Sequence, residues 1–157
     1  MTSPAAALAA VYVALFVGHQ LGDYWLQTHS QAGLKGSPGW PGRLADARHV
    51  LVLTVTKTGV LAIVWTLVHL GLHPWAVALG LAVDAVSHWW ADRKTTLRAL
   101  ARAMDRVLPA FGKEAFYDLG APRPGHDDNL TMGVGSAHLD QAFHLAFLLV
   151  AALIAIR

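Results

Sequence analysis

The chain has 157 residues, of which 55% are hydrophobic and 14% charged, with a mean hydropathy of +0.42. A soluble domain carries about 25% charged residues, so the composition excludes a disordered chain and argues against an ordinary water-soluble enzyme. There is no cysteine, which removes disulfides, thiolate metal sites, iron–sulfur clusters and cysteine nucleophiles.

Four segments approach the roughly 20 apolar residues that cross a bilayer: about 4–27, 49–72, 74–92 and 138–156. The third is short and carries polar residues. Residues 28–48 hold Gly33, Gly36, Pro38, Gly39, Pro41 and Gly42 and read as an irregular loop. The turn Gly71-Leu72-His73 makes spans two and three an antiparallel hairpin. Residues 93–112 are helical in pattern. Leu97, Leu100, Met104 and Phe111 lie on one face, with Arg98, Arg102 and Arg106 on the other, as in a helix lying at a membrane surface. Residues 113–137 read as a second irregular loop. The expected fold is all-α, a single domain: a four-transmembrane-helix bundle with an amphipathic interfacial helix between spans three and four.

Ten of the twelve Lys and Arg residues fall in the two long loops. The positive-inside rule then places those loops in the cytoplasm and both termini outside. The expected location is a bacterial plasma membrane. The expected partners are membrane lipids of the anionic inner leaflet. No nucleic acid is expected, and the sequence leaves a homo-oligomer open.

Ionisable residues inside a span cost about 2.5–3.5 kcal/mol each at the centre on insertion scales, yet here they recur at helical spacing. Span one carries His19, Asp23 and Gln27. Span three carries Asp84, His88 and Asp92. Span four carries Asp140, Gln141 and His144, and span two His49 and Lys57. Steps of four residues put each set on nearly one helix face. With the orientation above, all four sets lie in the cytoplasmic half of the bundle. His19, Lys57 and Asp84 should be deepest, roughly 12 Å below the helix ends at 1.5 Å per residue.

Imidazole and carboxylate groups converging from several helices are the donor set of a divalent metal site, Zn²⁺ first, with Mn²⁺ or Fe²⁺ as alternatives. Asp23, His49, His88, Asp140 and His144 are the first-choice ligands, and His19 and Asp84 complete the metal set. Asp92 is a ligand or general base, and Lys57 would stabilise a developing anion. Metal-dependent hydrolysis of a phosphate- or acyl-containing substrate at the inner leaflet follows as the leading function. The alternative is a non-enzymatic protein whose polar network, with Lys57 paired to Asp84, holds helices or subunits together. An ion or proton path ranks below both, because the polar residues stop halfway across. The loop cluster His126-Asp127-Asp128 is placed to cap the site, and His138 to join it.

The run His19-Gln20-Leu21-Gly22-Asp23-Tyr24-Trp25-Leu26-Gln27 resembles the opening motif of a family of small bacterial and phage membrane proteins, catalogued as domain of unknown function 3307. A histidine opening span two, matching His49, continues the likeness. So do Ser87-His88 with Asp92, and Asp140-Gln141 with His144. The resemblance covers most of the chain in order and implies no established activity. The layout is also similar to that of small membrane-bound metal-dependent hydrolases, by analogy only.

Overall fold

The computed structural model describes residues 2–93, 95–120 and 134–157. The described residues are helical throughout, joined by turns and without strands. Helix α1, Pro4–Gln20, starts at Ser3, whose side chain accepts from the Ala6 N–H. It passes directly into a π-helical segment, Leu21–Leu26. Then come α2 His29–Leu34, α3 Gly39–Val68, α4 Pro74–Asp92, α5 Thr95–Val107, a 3-10 turn Pro109–Phe111, α6 Lys113–Tyr117 and α7 Gly135–Ala155.

The long helices close a square. α1 packs on α3, α3 on α4, α4 on α7 and α7 on α1. Among the described residues, the backbones of the diagonal pairs α1–α4 and α3–α7 stay apart, so their side chains meet only across the interior. Two glycines set the spacing. A Cβ on Gly18 would lie 2.7 Å from Lys57 Cα, and one on Gly80 would lie 2.5 Å from the Ala151 carbonyl oxygen. Small residues at such crossings let helix backbones approach closely.

The interior has two halves. Val11, Leu15, Leu61, Leu148, Ala151 and neighbouring side chains form an apolar core, closed at its end by Leu70 and Leu72 from the α3–α4 turn. His19, Asp46, His49, Lys57, Asp84, His88, Asp92 and His144 are buried in the other half. Large apolar side chains meanwhile face outward, among them Val13, Leu51, Ile63, Leu67, Val86 and Leu153. A half-polar interior under an apolar exterior departs from the pattern of a soluble bundle.

Three helical stretches are long and apolar enough to cross a membrane: Pro4–Leu26, Gly39–Val68 and Gly135–Ala155. α4 is not among them. Asp84, Ser87, His88 and Asp92 lower its apolar content, and all four are buried inside the bundle.

Several boundaries differ from the sequence reading. The loop expected over 28–48 is largely helical. Thr28 and Gln31 form a capping box that starts α2. α3 begins at Gly39, ten residues before the expected start of span two. Pro41 is tolerated there because a first-turn residue has no intrahelical N–H partner to lose. α3 ends at Val68, with His69 at φ 53 as its left-handed cap. The amphipathic helix expected over 93–112 stops at Val107, because Leu108 precedes Pro109 and leaves the helical region at φ −133, ψ 77. The loop expected over 113–137 contains α6, and α7 starts at Gly135, whose N–H donates to the Leu119 carbonyl at 2.8 Å. The arginine face of α5 is partly engaged: Arg98 pairs with Asp118 at 2.6 Å and Arg102 with Glu114 at 2.6 Å. The expected cap His126-Asp127-Asp128 and the basic residues Lys94 and Arg123 lie outside the described residues.

Candidate metal centre

The π-helical segment is where the sequence departs from an ordinary helix. Its wider turn carries Asp23 inward, and its start at Leu21 follows His19 by two residues. π turns inside α-helices concentrate at functional sites. From α3, the early start of the helix brings Asp46 and His49 onto the inner face together. α4 supplies His88 and Asp92 one turn apart, and α7 supplies Asp140, Gln141 and His144.

Asp23 Oδ1 lies 3.0 Å from His49 Nε2 and 3.8 Å from His88 Nε2, and the two Nε2 atoms are 3.2 Å apart. Asp92 Oδ2 lies 3.5 Å from His49 Nε2 and 3.4 Å from His88 Nε2. These four atoms form two triangles that share the His49–His88 edge. Ligand atoms bonded at 2.0–2.2 Å to one tetrahedral ion stand about 3.3–3.6 Å apart, the scale of both triangles. Two overlapping groups can hold an ion: Asp23, His49 and His88, and His88, Asp92 and His144.

The remaining oxygens are tied elsewhere. Asp23 Oδ2 accepts from Gln141 Nε2 at 3.1 Å, and Gln141 Oε1 faces His19 Nε2 at 3.3 Å. Asp92 Oδ1 pairs with Lys35 Nζ at 2.8 Å. Burial opposes the Lys35 charge most strongly of any single influence, but Asp92, Asp23 and Asp140 together outweigh it and hold the ammonium above its ordinary pKa. Lys35 is itself placed by Arg93, which donates to the Lys35 carbonyl at 2.8 Å and to the Ser37 carbonyl at 2.6 Å. Asp23 Oδ1 and Asp92 Oδ2, the two oxygens aimed at the histidines, are buried with the imidazole Nε2 atoms as their polar neighbours.

His144 stacks on His88 with ring centroids 3.8 Å apart, and His19 meets both rings edge-on or tilted, at 5.5 and 5.4 Å. Asp140 stands at the rim, 3.4 Å from His144 Nε2, with a quarter of its side chain exposed. A cavity of about 300 Å³ opens onto Asp92, Lys35 and Asp140, with Leu97, Tyr117 and Ser136 in its wall.

Two expected site residues sit apart from the cluster. Lys57 and Asp84 are buried deeper and paired with each other, a mutual neutralisation that a low-dielectric interior demands of isolated charges. Asp84 is therefore in neither candidate ligand group, and Lys57 does not line the cavity. Sequence reasoning missed Asp46, Lys35 and Arg93. Asp46 is three residues before His49, a same-face spacing that was hidden by reading the segment as loop. Arg93 and Lys35 entered only as orientation charges.

A family model described as protein of unknown function (DUF3307) matches residues 11–157. The chain belongs to the DUF3307 family. The likeness carried by the His19–Gln27 run and by the later His and Asp pairs is thereby borne out, and the match covers every residue of the cluster from His19 to His144. DUF3307 has no assigned function, so membership names no reaction. No curated protein and no solved structure matches the chain.

Proposed function

We propose that this DUF3307 protein spans the membrane four times and binds a divalent transition metal, Zn²⁺ first, at Asp23, His49, His88 and Asp92, with His144 as a further donor. The observation that carries the reading is the division of labour on the two carboxylates. Each has one oxygen held by a neighbour and the other buried and aimed at the imidazoles, Asp23 Oδ1 3.0 Å from His49 Nε2 and Asp92 Oδ2 3.4 Å from His88 Nε2. The two Nε2 atoms also face each other at 3.2 Å, so four donor atoms converge at the ligand–ligand spacing of one ion, which joining helices does not require.

The span that completes the four is α4, the third in chain order. Its polar residues face inward, and it fills the square between α3 and α7. The site then lies in the cytoplasmic half, with both termini outside, in a bacterial plasma membrane.

The activity proposed is hydrolysis of a phosphate- or acyl-containing substrate entering through the cavity at Asp92. A bound dication would lower the pKa of water there and make hydroxide available near neutral pH. Asp140, at the rim beside His144, is placed to accept the proton from water. Lys35 takes over the electrostatic part expected of Lys57, since it lines the cavity. Asp92 acts as ligand, because its Oδ2 points between two imidazoles.

The test is metal content of the purified protein beside thermal stability with and without chelator. Asp23→Asn, His49→Gln and His88→Gln should each lose bound metal while remaining folded in detergent. His69→Gln, in the turn after α3, should keep it. Full metal in all three ligand variants refutes the reading. So does a wild-type protein without metal whose variants merely melt early, which would make the cluster a structural network of the kind that Lys57–Asp84 and His19–Gln141 already form.

A further inference from the structure

Three cavities lie in series beneath α5. The innermost is the one at Lys35, Asp92 and Asp140, with Leu97 in its wall. The second, about 270 Å³, shares Leu97 and is bounded by Leu100, Ala101, Ala142 and Phe143, with Lys113 at its edge. The third, about 640 Å³, shares Leu100 and Phe143 and follows the α4–α7 seam past Val86, Trp90 and Phe147.

Polarity falls in one direction along this series. The inner end presents two carboxylates and an ammonium, the middle is apolar with one lysine, and the outer end is apolar. Ser87 is the polar exception there, and its hydroxyl is spent on the Asp84 carbonyl at 2.9 Å. The outer groove therefore offers nothing to a polar ligand, while its rim residues Val86 and Trp90 are exposed on the bundle's outer face. The floor lies beside the metal cluster, because Ser87 precedes His88 and Phe143 precedes His144.

We propose that this track binds one membrane amphiphile. Its acyl chain lies along Trp90, Phe143 and Phe147 under α5, and its phosphate head lies in the cavity at Lys35 and Asp140. The proposal rests on the metal reading, because the dication with Lys35 supplies the positive charge that draws an anionic head past Asp92 and Asp140. Lys113 adds a second positive group on the way. An apolar channel with a few polar groups at one end is the usual form of a site for such a molecule. It makes a lipid phosphate, rather than a soluble one, the substrate class. A comparable apolar groove of about 420 Å³ between α3 and α4, at Leu51 and Trp89, has no polar end and serves as the internal control.

The experiment uses the full chain in lipid nanodiscs with dodecyl phosphate bearing a terminal diazirine. Crosslinked peptides are mapped by mass spectrometry, and metal is measured on the same samples. Labelling should concentrate on Leu100, Trp90, Phe143 and Phe147. Dodecyl phosphate should compete and inorganic phosphate should not. Ala82→Phe, which fills the outer end of the track six residues from His88 in the chain, should lower labelling about tenfold with metal content unchanged. Equal labelling at Leu51 and Trp89, in a protein that holds metal, overturns the amphiphile site and leaves the metal reading standing. Competition by inorganic phosphate alone points to a soluble phosphate and also overturns it. Concentrated, competed labelling in a protein without metal refutes the metal reading and, with it, the placing of the head at Lys35 and Asp140, and leaves the outer groove as an acyl-chain site.

Discussion

Asp23 and Asp92 reach the same arrangement from opposite sides of the bundle. Asp23 is anchored by a neutral amide and Asp92 by an ammonium, and each leaves one oxygen for the two imidazoles. Under the proposed metal reading, Gln141 is a positioning residue, acting on the centre through Asp23 and His19. Groups of this kind hold a ligand's orientation, and their loss weakens metal binding roughly 10–100-fold. Gln141→Leu is accordingly expected to raise the metal dissociation constant by that order, and Gln141→Glu to differ from it because a carboxylate repels Asp23. Chelator competition on the purified variants reads both. Metal affinity equal to wild type in Gln141→Leu would mean that Asp23 needs no such anchor.

At the scale of the element, the close crossing of α4 and α7 aligns His88 with His144. Gly80→Val places a branched side chain against the Ala151 carbonyl, where a Cβ alone comes within 2.5 Å. Overpacking of this kind costs about 1–3 kcal/mol, and here it also spreads the His88–His144 stack. Lower thermal stability together with weaker metal binding is expected. Gly59, on the outer face of α3, has nothing within 4 Å of its Cβ position. Gly59→Ala should leave metal unchanged and add up to about 1 kcal/mol through helix propensity. The matched pair separates crowding from a general effect of removing glycine. α6 is held in a different way. Asp105 accepts from the Lys113 N–H at 2.6 Å and the Glu114 N–H at 2.8 Å. The bonds from Glu114 and Lys113 keep its carboxyl below the ordinary carboxylate range. A depressed folded pKa means that this tie is complete above the unfolded value of about 3.9 and is lost as pH falls through the folded one. Exchange protection of those two amides should drop in the wild type only as pH falls below the ordinary carboxylate range, and Asp105→Asn should show low protection at every pH. Wild-type protection in that variant would assign the α5–α6 fold to other contacts, such as Arg102–Glu114.

At the scale of the molecule, the half-polar interior under an apolar exterior makes orientation the decisive property. Both termini are expected outside and α2 inside. The chain's lack of cysteine gives a clean background for placing single ones. Thr2→Cys and His73→Cys should react with an impermeant thiol reagent added to intact cells, and Ser30→Cys should react only after the cells are opened. Labelling of Ser30→Cys from outside would reverse the topology and put the cavity at Asp92 on the other face of the membrane.

The apolar runs and the four-residue steps of His and Asp determined that this chain is helical, that its helices suit a membrane, and that Asp23, His49, His88 and His144 share one end. Hydropathy and periodicity are local properties, and they are written in the order of the residues. Only the tertiary structure decided which charges pair off and which remain for a ligand. The Lys57–Asp84 pair was one of two readings the sequence left open, and the structure chose it, while Lys35, from a segment dense in glycine and proline, reaches Asp92 and lines the cavity. The same density disguised the start of α3 and, with it, Asp46. Burial of one face against α1 and α4 outweighs the weak helix propensity of Gly39 and Gly42. The π turn at Asp23 is likewise invisible to a 3.6-residue period, because the side chain's aim depends on an extra residue per turn that packing imposes.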